Sequence, residues 1–108
     1  MPLRPVEFQI LLTLAAEERH GYGIMQEAAR LTDDELQLEA GTLYRALHRM
    51  LKDGWVAESR RRAAADLEDE RRRYYRLTAL GRRIASEEAQ RLSRLVAAAR
   101  AQRLLTRA

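Results

Sequence analysis

A mostly α-helical domain with a small β-hairpin and a long final helix is the fold class that this sequence predicts, on three observations. Apolar residues recur at helical spacing in four separate stretches. A tract near residues 55–78 switches to period two, as a half-buried strand pair does. The last helical pattern runs further than one compact domain of 108 residues needs.

The elements follow in order. Pro5 suits the first turn of a helix, where its missing N–H is not needed, and Val6, Ile10, Leu11 and Leu14 keep helical spacing through Ala16. Glu17 to Gly21 reads as a turn. A second helix is predicted from about Tyr22 to Leu31, with Ile24, Met25, Ala28 and Leu31 on one side, and Thr32-Asp33-Asp34 ends it. Glu35-Leu36-Gln37-Leu38-Glu39 alternates strictly, which predicts a brief strand with both leucines facing a core. A third helix occupies 40–53, its buried stripe marked by Leu43, Leu47, Met50 and Leu51. Gly54 fits the left-handed position after a helix, and Trp55 lies where a side chain folds back on the last turn. Val56 to Arg62 and Arg71 to Thr78 form the two arms of the hairpin, with Tyr75 and Leu77 alternating against Tyr74 and Arg76. The tip between them, Ala63 to Glu70, reads either as a charged loop or as an alanine-rich helical turn. Thr78 caps a last helix from Ala79 to about Leu105, whose stripe is Leu80, Ile84, Ala85, Leu92, Leu95, Val96 and Ala99. Gly81 is read as a position of close packing. The order of helix, helix, short strand, helix, hairpin, helix is that of a winged helix-turn-helix, here 1–78, with residues 79–108 as a dimerisation helix.

Composition narrows the function. Cysteine is absent, and His20 and His48 share no ligand spacing, so no metal site or cofactor is expected. No catalytic constellation emerges, because Ser59, Ser86 and Ser93 have no nearby His–acid pair and the acids lie in solvated runs. The expected protein is not an enzyme. No apolar stretch can span a bilayer, the last helix lacks aromatic anchors, and Met1-Pro2-Leu3-Arg4-Pro5 lacks the apolar segment of a signal peptide. No membrane partner is expected, and the protein should be cytoplasmic and nucleoid-associated. Charge is sharply polarised. Up to Glu39 there are three arginines against eight acids, a net of −5, whereas from Ala40 onward 17 basic residues face eight acids, a net of +9. Such a field suits a polyanion.

The third helix shows where that polyanion would lie. At about 100° per residue, Arg45, His48, Arg49 and Lys52 fall opposite the leucines, with Thr42 and Tyr44 at the flanks. A core face backed by a cationic, hydrogen-bonding face is what a helix in the DNA major groove needs. Arginine can also donate two bonds to the acceptor edge of guanine. The small residues Ala40-Gly41-Thr42 let backbone N–H groups approach a phosphate. The plain alternative is an amphipathic helix with a wet outer face. On the hairpin, Arg60, Arg61 and Arg62 close one arm and Arg71, Arg72 and Arg73 open the other. Six like charges brought together repel one another unless DNA backbone or the tip acids Asp66, Glu68, Asp69 and Glu70 neutralise them.

These residues resemble the PadR-like transcriptional regulators. The likeness rests on His20-Gly21-Tyr22-Gly23-Ile24, Gly41-Thr42-Leu43-Tyr44-Arg45-Ala46-Leu47, Asp53-Gly54-Trp55-Val56, and Tyr74-Tyr75-Arg76-Leu77-Thr78 with Gly81. It covers roughly Val6 to Leu92 and points to the smaller subgroup with a single C-terminal helix. The resemblance implies a dimeric repressor of double-stranded DNA, with Tyr22, Thr42, Tyr44 and Arg45 approaching the duplex. It also implies a homodimer built by the first and last helices, for which Phe8, Ile84, Leu92, Leu95, Val96 and Ala99 are the candidate residues. Some small members bind planar drugs through a tryptophan on the last helix. Trp55 precedes the wing and no tryptophan lies on that helix, so a small-molecule effector is not supported. His20 reads as a turn residue bonded to backbone rather than as a switch. The competing function is a winged-helix module that binds protein and never touches DNA.

Overall fold

The structure, a computed structural model, describes residues 3–35, 37–59 and 73–105. Four helices and three short strands follow one another as α1 (Pro5–Ala16), β1 (Arg19–His20), α2 (Gly21–Leu31), α3 (Ala40–Lys52), β2 (Val56–Glu58), β3 (Tyr74–Leu77) and α4 (Ala79–Ala101). The fold is the mostly helical winged arrangement that the periodicity predicts.

One core joins α1, α2, α3 and the sheet. Ile10, Leu11 and Leu14 from α1 meet Ile24 and Ala28 from α2, Leu43, Leu47 and Met50 from α3, and Val56 and Tyr75 from the sheet. Each is a residue that the helical or alternating pattern turns inward. The C-terminal carbonyls of α1 have no basic residue in their own last turn. Arginines from elsewhere donate to them instead: Arg19 Nε to the Thr13 oxygen at 2.9 Å and Arg82 to the Ala15 oxygen at 3.1 Å. Those bonds dock β1 and α4 onto α1 and satisfy orphan acceptors.

Helix α3 ends as the sequence predicts. Gly54 takes φ +80°, its N–H reaches Leu51 O at 3.2 Å, and the Trp55 N–H reaches Met50 O at 2.9 Å, a Schellman motif. Trp55 is half-buried against the core. The chain then enters the hairpin, in which Val56, Ala57 and Glu58 pair antiparallel with Leu77, Arg76 and Tyr75.

Two expectations need correction. The sheet has three strands in the order β1-β3-β2, and its extra member is Arg19–His20, paired with Tyr75 and Tyr74. The segment read as a turn is therefore partly strand. Conversely, Glu35 and residues 37–39 form no strand, while Leu36 lies outside the described residues. Leu38 is buried all the same. Leu38 reaches the core without a ladder, because burial and strand pairing are separate requirements.

The last helix also stops earlier than expected, at Ala101. Arg103 adopts φ +61°, and the Arg103 and Leu104 N–H groups return to Arg100 O and Ala99 O at 3.0 and 2.9 Å. This is a second Schellman stop, built on an arginine instead of a glycine. At its start, Thr78 Oγ1 accepts the Gly81 N–H at 2.9 Å and lies 2.6 Å from the Gly54 carbonyl oxygen, tying the end of α3 to the start of α4. The expected hairpin tip and the arm ends at 60–62 and 71–72 lie outside the described residues. Among the described residues, no helix is long and apolar enough to cross a membrane.

Candidate nucleic-acid interface

Helix α3 separates its two faces cleanly. Leu43, Ala46, Leu47 and Met50 are buried, whereas Arg45, His48, Arg49 and Lys52 are exposed. Thr42 is half-buried at the first turn. Glu39, at the N-cap, makes no side-chain capping bond, so the opening turn of α3 is available to an acceptor from outside. Arg45 folds back along that turn, with one guanidinium nitrogen 3.5 Å from Thr42 Oγ1 and the other 3.4 Å from where a Gly41 Cβ would stand.

The predicted residues do not all behave alike. Tyr44 is half-buried between α2 and α3, and its hydroxyl fills the space that a Cβ on Gly21 would need. That residue spaces the two helices. Tyr22, 60% exposed, projects from the first turn of α2. Its ring lies parallel to His20 at 6.5 Å, and His20 meets Tyr74 edge-on at 5.3 Å. His20 caps α2, its Nδ1 accepting the Gly23 N–H at 3.0 Å. It is backbone-bound, as the sequence suggests.

Arg49 differs from the other exposed cations of α3. Its guanidinium donates to Glu7 of α1, forming an internal ion pair. Arg73 likewise sits 3.4 Å from Glu58 across the hairpin, so part of its charge is balanced within the wing. Arg60, Arg61, Arg62, Arg71 and Arg72 lie outside the described residues.

Between the start of α1 and α3 lies a recess of about 610 Å³, walled by Arg4, Pro5, Val6, Thr42, Arg45 and Ala46, with the Glu7–Arg49 pair in its lining. Arg4 and Glu7 were not singled out from the sequence as site residues. Glu7 at the third position of α1 suits a helix start, where it accepts the Arg4 N–H, but the partnership with Arg49 spans 42 positions and left no local trace.

The candidate dimer residues divide similarly. Ile84 packs against the chain's own core. Phe8, with Leu12, Ala15, Leu77, Ala85 and Ala89, lines a shallow apolar groove between α1 and α4. Further along α4, Leu92 and Ala99 are half-buried, while Leu95 and Val96 are exposed.

Comparison with known proteins decides the family. The model of the transcriptional regulator PadR-like family matches residues 10–87. The chain belongs to the PadR-like family of transcriptional regulators. An uncharacterised Lysinibacillus sphaericus protein is 34% identical over 79 residues, which are 72% of this chain and 69% of that one. A transcriptional regulator from Clostridium thermocellum is 28% identical, with a TM-score of 0.68 and 84% of each chain covered. Bacillus subtilis PadR, solved in complex with operator DNA, shares the fold at a TM-score of 0.64 and 19% identity, over 78% of this chain and 46% of that longer one. In this PadR-like chain the matched segment takes in α2, α3, the hairpin and the first turns of α4.

Proposed function

We propose that this PadR-like chain is a sequence-specific double-stranded DNA-binding regulator, a cytoplasmic repressor that acts as a homodimer. Residues 1–78 form the DNA-binding unit, and 79–108, through α4, the dimerisation unit. Helix α3 enters the major groove, and the 55–77 hairpin contacts backbone as a wing. One observation carries this reading: the exposed row Arg45, His48, Arg49 and Lys52, set opposite buried Leu43, Leu47 and Met50. The Bacillus subtilis relative bound to its operator adds support from fold.

The roles divide by chemistry. Arg45, poised over Thr42 at the start of α3, is a base reader, as is Arg49 through the part of its fork that Glu7 leaves exposed. His48, Lys52 and the triplets 60–62 and 71–73 supply sequence-independent attraction to phosphates. Tyr22 and Thr42 complete the contact. Each contributes a hydroxyl suited to a phosphate oxygen.

The test is duplex binding measured against ionic strength. A chain that neutralises Z phosphates loses affinity with a log–log slope near −0.9Z. Arg45→Ala is expected to cost about 1–3 kcal/mol on the preferred sequence and little on random duplex. Replacing Arg60, Arg61 and Arg62 by alanine should weaken all sequences alike and flatten the slope. Absence of binding at low salt would favour the protein-interaction reading.

A further inference from the structure

Glu7 is one of two buried acids among the described residues. It is 8% exposed, at the third position of α1. One carboxylate oxygen accepts the Arg4 backbone N–H at 2.9 Å, and the other takes the Arg49 guanidinium from α3. The Arg49 side chain is 43% exposed and lines the same recess as Thr42 and Arg45. A carboxylate beside a surface meant for phosphates is repulsive until a cation balances it, and burying the carboxylate costs desolvation. Mere attachment of α1 to α3 does not require this cost, because Ile10, Leu11, Leu14, Leu43, Leu47 and Met50 already join those helices in one apolar core.

Pairing changes what Arg49 can offer a duplex. Its charge is cancelled locally, so it displaces fewer counterions than a free cation would. Its guanidinium is also held in one orientation, and a fixed fork loses less entropy when it meets a base edge. We infer that Glu7 is a positioning residue for base selectivity, one that turns Arg49 from a mobile phosphate-binding cation into an oriented, charge-balanced donor. This rests on the reading of α3 as the DNA-reading helix.

The experiment uses the full chain with a duplex selected by the wild type and a duplex of random sequence, across a range of salt. Glu7→Gln keeps the shape and removes the charge. It is expected to tighten binding to random duplex at low salt, to steepen the slope by about 0.9 for each Arg49 released, and to reduce the preference for the selected duplex about tenfold. Glu7→Asp retains the charge and retracts it, so it should lower the preference while leaving the slope alone. With Arg49→Ala in place, Glu7→Gln should still ease the repulsion of phosphate but should leave the preference unchanged. Wild-type slope and preference in Glu7→Gln and Glu7→Asp, or an equal loss of preference without Arg49, would overturn the inference alone. A wild type that binds no duplex would overturn it together with the function on which it rests.

Discussion

An ideal Cβ on Gly81 would stand 2.0 Å from the Trp55 carbonyl oxygen and 2.9 Å from its carbon, both backbone atoms that no rotamer change can move. The same carbonyl accepts the Thr78 N–H at 3.1 Å, so the junction of α3, β2 and α4 cannot open without losing that bond and the α4 cap. Gly81→Ala should therefore destabilise the protein by more than about 2 kcal/mol, seen as a lower urea midpoint with an unchanged slope. A substitution worth a few tenths would show that the junction relaxes freely. The packing role of Gly81 was legible in the sequence, since a glycine early in a helix after a good cap has few other uses. The Glu7–Arg49 pair was not, because nothing in a single chain announces which acid meets which arginine across 42 positions.

Single elements were legible where local chemistry was sufficient. Thr78 and Gly54 mark boundaries through bonds made within a turn, and the structure has both where expected. The end of α4 was missed because Arg103 occupies a left-handed position that ordinarily costs an L-residue about 1–2 kcal/mol. Strand β1 was missed because two residues acquire strand geometry only from their pairing with β3, which is tertiary information. Within α4, the buried Glu88 receives two bonds from Arg91, at 2.9 and 2.7 Å. Those bonds hold its carboxyl below its ordinary value of 4.5, with desolvation opposing and the Leu3 backbone assisting. A lowered folded value means stability that is complete above the ordinary value and is lost as pH falls through the folded one. Acidification below about 4.5 should therefore lower the urea midpoint of the wild type more steeply than that of Glu88→Gln. Equal slopes would mean that the pair adds nothing. Glu27, lowered chiefly by its bonds to Arg30, contributes in the same direction.

At the scale of the molecule, shape and charge both point outside the single chain. The radius of gyration is 15.3 Å, against about 13 Å for a compact chain of this length. The long axis of 53 Å reflects α4, which at 23 residues is roughly 35 Å long. Its far half exposes 56% of Leu95 and 43% of Val96. If a second copy covers them, Leu95→Glu should convert a dimer to a monomer in light scattering while the helical circular dichroism persists. A wild type already monomeric at micromolar concentration would contradict this. Under the proposed dimer, two α3 helices related by a two-fold axis would reach half-sites about 34 Å apart. Enrichment of bound sequences from a random duplex pool tests the whole account most directly. The expected product is an inverted repeat with half-sites about one helical turn apart, lost with Arg45→Ala; a pool that stays random, or a single asymmetric site, would contradict it.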